Sequence, residues 1–308
     1  MHQIVFQKKQ LSLLIVIGCL LIIGNVIGQF NHYHFVGIQV DNDVYFDLDQ
    51  YYSSGNFLHF GKGTPIKDNA SKLTHWTFGQ QISTPSISLY KPEKGDYPYN
   101  GWLFIRRQSI NFKNKRSGSG WSFLLGVTGA DLSLARPIHN FFHQVIRGIE
   151  KHSWTDPIPT FFHLNGSRFW FRSIDLGSHW KIQGKSIIDI GSYRIGSQIN
   201  LGIHFGNLSF NPYQWIQPKN HEFRFSIHIQ GKFRFRFTEY GLNGKILPFK
   251  SGGDWHLISQ HFTFEYGVSM ALETWKLFAI GAIATRDIQQ QNESNHYFLQ
   301  LGIIKTFL

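Results

Sequence analysis

Asp41, Asp43, Asp47 and Asp49 place four of the chain's nineteen acidic residues within nine positions, with Asn42 among them. Carboxylate and amide oxygens are the donors a hard cation such as calcium takes. This is not an EF-hand, because the glycine and the closing bidentate glutamate are missing. The alternative to a metal site is a solvated acidic turn. Tyr52, Ser53, Ser54 and Gly55 follow directly. No glycine-flanked elbow surrounds these serines, so a hydroxyl that positions water or substrate suits them better than a nucleophile. His139 and His143 lie four apart, a spacing that puts both on one face of a helix. They can be read as a metal pair, as a general base with a neighbour, or as two polar residues facing water or lipid headgroups.

The elements that must carry these residues read as strands. Phe223, Phe225, Ile227, Ile229, Phe233, Phe235 and Phe237 share one parity, and Arg224, Ser226, His228, Gln230, Lys232, Arg234 and Arg236 the other. Strict period two over fifteen residues is a strand with an apolar and a polar face. Soluble-sandwich strands average about five or six residues, whereas this length suits a tilted membrane strand that projects beyond the bilayer. Residues 261–272 and 297–307 repeat the theme. About twelve strands are expected, near 33–41, 54–62, 73–82, 100–112, 118–127, 166–181, 184–194, 197–207, 221–239, 255–272, 274–286 and 295–307. An even number closes without an edge, so the fold class is all-β: a twelve-stranded antiparallel transmembrane β-barrel. Residues 132–149 break the pattern, with Ile138, Phe142, Val145 and Ile146 at helical spacing, and predict a short helix in an extracellular loop.

Composition agrees. Only 16% of the 308 residues are charged, against about a quarter in soluble domains, and 16% are aromatic. Lys8 and Lys9, an apolar run from Leu11 to Ile23, and Gly28 fit a secretory signal over residues 1–28, leaving a barrel domain over 29–308. A lipoprotein signal at Cys19 and an uncleaved anchor are the rivals. Loss of the segment removes the chain's one cysteine, and thiol chemistry with it. The net charge of +11 calls for an acidic partner. Behind an export signal, and with a lipid-like opposite face, the arginine–phenylalanine strand argues for anionic lipid and against nucleic acid.

Three stretches together resemble the lipid A 3-O-deacylases of the outer membrane, the LpxR family. They are DNDVYFDLDQYYSSG (Asp41 to Gly55), GQQISTPSISLYKPEKGDYPYNGWL (Gly79 to Leu103) and GVTGADLSLARPIHNFFHQVIRG (Gly126 to Gly148), with a weaker fourth in YGLNG (Tyr240 to Gly244). The resemblance implies a twelve-stranded barrel in the bacterial outer membrane. It also implies a calcium-dependent esterase that removes a 3-linked acyl chain from lipid A of lipopolysaccharide, at a site between the barrel wall and a loop helix. His143 matches the family's catalytic histidine, and Asn42 and Asp43 its pair near the calcium. Ser53 takes the place of a threonine, and Lys91 or Lys94 that of a basic residue at the substrate phosphates. Ala130 stands for a proline, His139 for a glutamine and Tyr97 for an arginine, and one extra residue separates Gly129 from His143. The implied reaction has His143 as general base on a water, with Asp43 holding the ion. Two other readings remain open: a non-catalytic lipopolysaccharide-binding or structural barrel, and an outer-membrane phospholipase.

Overall fold

The computed structural model describes residues 32–46, 50–65, 71–86, 96–114, 116–148, 153–208, 223–246 and 255–307. The expected signal at 1–28 lies outside them. Twelve strands are present: β1 (Tyr33–Asn42), β2 (Tyr51–Pro65), β3 (Ser71–Thr84), β4 (Asn100–Phe112), β5 (Ser117–Thr128), β6 (Phe162–Asp175), β7 (Trp180–Gly191), β8 (Arg194–Gly206), β9 (Arg224–Glu239), β10 (Gln260–Leu272), β11 (Trp275–Thr285) and β12 (Asn295–Phe307). Each pairs antiparallel with its sequence neighbour, and β1 closes on β12 from His34↔Phe307 to Asn42↔Leu299. The ladder has no edge, as a backbone in hydrocarbon requires. Both chain ends leave the barrel at one rim. The opposite rim carries most of the long connections and the helices: α1 (Ala135–Phe141), running into a π-helical turn (Phe142–Arg147), and the single turn α2 (Tyr240–Asn243). On the rim of the termini the connections are short except for 207–223, and on the opposite rim they are long except for 192–193; this bias marks the opposite rim as the outer face.

The barrel is polar inside and apolar outside. On β9, Arg224, Ser226, His228, Gln230 and Arg236 are buried, while Phe225, Ile227, Ile229, Phe233 and Phe237 are exposed. On β10, Phe262, Phe264, Tyr266, Val268, Met270 and Leu272 are exposed likewise. Water would penalise this arrangement; acyl chains favour it. An arginine or lysine turned outward costs about 2–4 kcal/mol at the bilayer midplane, which is why the cationic parity faces in. Near the rim that carries the termini, the outer face changes to tryptophan and arginine. Arg107 lies 5.5 Å from both the Trp76 and Trp121 rings, and Arg168 5.5 Å from Trp170. Amphipathic side chains of this kind sit at a membrane boundary.

The lumen is filled in two ways. Toward the termini, Tyr33, Phe35, Leu73, Ile110, Phe112, Phe169, Phe278 and Ile304 form an apolar cluster. Above it lies a cavity of about 530 Å³ crossed by paired charges, among them Lys232 with Glu265 and Arg194 with Glu239. Arg236, 1% exposed, donates to Asp287 Oδ1 at 2.7 Å and to the Ile258 carbonyl at 3.0 Å. Removing one partner of such a buried pair costs about 3–5 kcal/mol, so this network ties the β11–β12 loop to the barrel.

Two expected boundaries need correction. β6 and β7 were expected at 166–181 and 184–194; the hairpin turn falls at 176–179 instead, around Gly177 at φ 94°. Ile174, Leu176, Trp180 and Ile182 all face outward across that turn. The parity survives the hairpin, so alternation gave no signal of it. β10 starts at Gln260, not 255.

Candidate active site

On the outer face of β1–β3 the apolar belt gives way to polar residues near the outer rim. Leu58, Phe60 and Phe78 are followed upward by Asn56, Ser54, Gln80, Thr84 and Asn42. A β-bulge between Tyr52 and Ser54 creates part of this patch. It turns Tyr52 into the lumen, where the hydroxyl donates to Asp41 Oδ2 at 2.9 Å. It turns Ser53 to the outer side, hydrogen-bonded to the Thr84 hydroxyl and 4% exposed. Bulges re-aim side chains in this way next to functional sites.

The acidic run divides between two compartments. Asp41 faces the lumen and accepts from Gln39 Nε2 at 2.8 Å and Gln300 Nε2 at 3.1 Å. Asn42 Oδ1 accepts the Val44 N–H at 2.7 Å and starts the turn that leads off β1. Asp43, 2% exposed, accepts the Gln50 N–H at 2.7 Å, and its own N–H donates to the Ser53 carbonyl at 3.4 Å. Asn42, Asp43 and Ser53 therefore share one corner, and Asp41 and Tyr52 do not. Asp47, Asp49, Lys91 and Lys94 lie outside the described residues. Among the described residues, no three histidine, cysteine, aspartate or glutamate side chains form a metal cluster. The donors at this corner are the Asp43 carboxylate, the Asn42 amide and the Ser53 and Thr84 hydroxyls. All are oxygens, the chemistry a hard cation accepts, so the residues fit calcium.

The β5–β6 loop covers the neighbouring wall. Ala130 and Ala135 pack with Ile82 and Trp154, and Tyr99 stacks on Trp154 at 5.1 Å. Gly101 makes this approach feasible, because a Cβ there would overlap Ser133 Oγ and Ala135 Cβ. Ala135, His139 and His143 form the buried stripe of the loop helix, at 0, 5 and 1% exposure. The two imidazoles lie with centroids 4.2 Å apart, and Trp154 meets His139 edge-on at 5.8 Å. Thus Ile82, under the helix, is two residues from Thr84, which holds Ser53. The histidine helix and the acidic corner are anchored on the same strand, β3.

A second layer went unread in the sequence. Asp96 accepts the Tyr51 hydroxyl at 2.7 Å, the Ser86 N–H at 2.9 Å and the Asn292 N–H at 3.2 Å. Ser86 Oγ donates to Gln50 Oε1 at 2.9 Å, and the Gln50 N–H is the donor to Asp43. Asp96 thereby joins three loops behind Asp43, with Tyr51 held at φ 59°. Tyr97 donates to Asp287 Oδ2 at 2.9 Å. Burial, and then the Asp287 charge, push the Tyr97 hydroxyl well above the usual phenol range. Burial acts to raise the Asp287 carboxyl, but the His261 ring and Arg236 guanidinium against it hold it well below the usual carboxylate range.

Comparison with known proteins meets this geometry. The solved structure of LpxR from Salmonella typhimurium superposes with a TM-score of 0.72 at 17% identity, covering 89% of this chain and 100% of that one. Two autotransporter barrels superpose more loosely. The β domain of Bordetella BrkA gives 0.46 at 11% identity (89% and 98% covered), and the NalP translocator of Neisseria meningitidis 0.47 at 8% (99% and 97%). A search of curated protein sequences finds no match. A family profile described as outer membrane protein LpxR matches residues 13–307, nearly the whole chain. The protein is thus an outer-membrane barrel, and it belongs to the LpxR family.

Proposed function

We propose that the protein is a calcium-dependent esterase that removes a 3-O-linked acyl chain from lipid A. The observation that carries this reading is a buried histidine helix seated on the outer, lipid-facing wall beside a polar corner holding a buried carboxylate. A lumenal site would suit a soluble solute; an outer-wall site suits a substrate that lives in the membrane.

His143 takes a proton from a water, and the water oxygen attacks the ester carbonyl. The tetrahedral intermediate collapses with cleavage of the bond to the sugar oxygen. The proton held on His143 passes to that oxygen, leaving a free hydroxyl on the sugar and a fatty acid, whose carboxyl proton goes to solvent. Ser53, fixed by Thr84, orients the water, and Asn42 shapes the turn that presents Asp43. Asp43 would hold the calcium, which when bound supplies positive charge for the developing oxyanion. Lys91 or Lys94 attracts the lipid A phosphates.

Chelation tests the ion. Fatty acid released from lipid A by outer membranes carrying the protein stops on addition of a calcium chelator and returns with calcium. Release that persists in chelator removes calcium from the mechanism. Asp96→Asn bears on the same corner from behind. It breaks the carboxylate's set of three hydrogen bonds, at about 1–3 kcal/mol for a donor left unsatisfied. The expected result is a higher calcium concentration for half-maximal activity, about tenfold per 1.4 kcal/mol transmitted to Asp43. A calcium titration superimposable on the parent's would disconnect Asp96 from the ion.

A further inference from the structure

The loop helix has three faces, and the mechanism uses one. Ala135, His139 and His143 are buried on the wall, while Arg136 and Gln144 lie on a polar flank. On the third face, Leu134, Ile138, Phe141 and Val145 are 49, 40, 58 and 49% exposed. Ile138, Phe141 and Val145 fall on one side of the continuous helical run, at spacings of three and four, and Leu134, at its N-cap with φ 61°, leads into this apolar stripe. An uncovered stripe of this kind marks an interaction surface.

It is continuous with the lipid-facing belt. Phe161 and Phe162, where the loop rejoins the barrel, are exposed, and Phe162 stands opposite Val127 in the β5–β6 ladder. Leu125 and Leu164, the next outward pair, are exposed too. The depth agrees. Trp76 and Trp121, at the inner boundary, lie six residues below Ile82 and Val127. Six residues at about 3.3 Å, tilted by about 40°, climb about 15 Å, whereas the apolar band of such barrels is about 25 Å tall. On the β5–β6 side, where Leu125, Leu164 and Phe162 keep the outer face apolar, the band therefore continues about 10 Å above Val127, roughly the diameter of one helix.

We infer that the Leu134–Ile138–Phe141–Val145 stripe is immersed among the acyl chains of the outer leaflet, so that the loop helix lies within the membrane surface with its histidines against the wall. Lipid chains then border the site directly, and a lipid ester reaches it sideways without leaving the bilayer. The inference rests on the membrane placement of the barrel and not on hydrolysis; it holds equally for a barrel that only binds lipid.

Nitroxide labels test it. In the full chain carrying Cys19→Ser, single cysteines are placed by Phe141→Cys, Val145→Cys and, on the polar flank, Gln144→Cys. Each is refolded into phosphatidylcholine vesicles, with folding confirmed by heat-modifiable migration. Ile138→Cys replaces any stripe variant that fails to fold. The expected result is a shift at 141 and 145 toward strong relaxation by oxygen and weak relaxation by a water-soluble nickel chelate, with the reverse at 144. Equal nickel access at 141, 145 and 144 would overturn it by placing the stripe in water. Spin–spin broadening at 141 that grows with protein-to-lipid ratio would also overturn it, by assigning the stripe to a second copy of the chain. No substrate is turned over, so this outcome and that of the proposed reaction are read separately.

Discussion

Replacing His143 with alanine is expected to leave a folded barrel in the outer membrane that releases no acyl chain from lipid A. The imidazole is 1% exposed and sits in a loop outside the strand ladder, so its loss breaks none of the twelve pairings. Ala135 and Trp154 still dock the helix on Ile82. In the proposed mechanism the group lost is the one that takes the proton from water, and a positioned base is worth about 10²–10⁴ in rate. His139→Gln makes the contrast. It removes the ring 4.2 Å from His143 but supplies the residue type that the resemblance implies there, and activity is expected to persist. Released fatty acid, measured with heat-modifiable migration as the folding control, separates the two variants. Hydrolysis retained in His143→Ala would sink the assignment of the base.

Gly101→Val disarms the same histidine from the opposite side. A Cβ at 101 would collide with Ser133 and Ala135 and come within 2.7 Å of the Gly129 carbonyl. Ala135 begins the stripe that carries His143, so the helix must rise from the wall by an ångström or more. A displacement of about 1 Å from the productive position costs about 100-fold in rate. The substitution lies at the first turn of β4, facing outward, so the barrel below it keeps its register. The expected variant folds, resists heat like the parent and turns over about 100-fold more slowly. Parent-like turnover would show that the helix can shift without disturbing the base.

The barrel was legible because membrane strands repeat one simple pattern. Residues 223–237 give their direction, faces and length by alternation alone. The β6–β7 turn was misplaced for the same reason: Leu176 and Trp180 keep the outward parity through the hairpin. The site was legible in part. His139 and His143 announce a helical face, and the motif at 41–55 announces an acidic corner. The bulge at Ser53 leaves no trace in a run of two tyrosines and two serines, so Tyr52 and Ser53 read as one patch although they point to opposite sides of the wall. Asp41 read as a neighbour of Asp43, yet the strand's parity sends it into the lumen. Trp154 holds the helix from a loop with φ 50°, and Asp96 gathers groups from positions as distant as Asn292. Contacts across that much sequence have no period to reveal them.

Mass spectrometry of lipid A from outer membranes expressing the protein tests the central claim most directly, with calcium or with chelator and beside His143→Ala. The account predicts loss of one acyl chain from the 3-position only when both calcium and His143 are present. Unchanged lipid A in every arm, with folded protein confirmed in the membrane, would contradict it. Fatty acid then released from phospholipids would mark a phospholipase, and none released would mark a barrel that binds lipid without cleaving it.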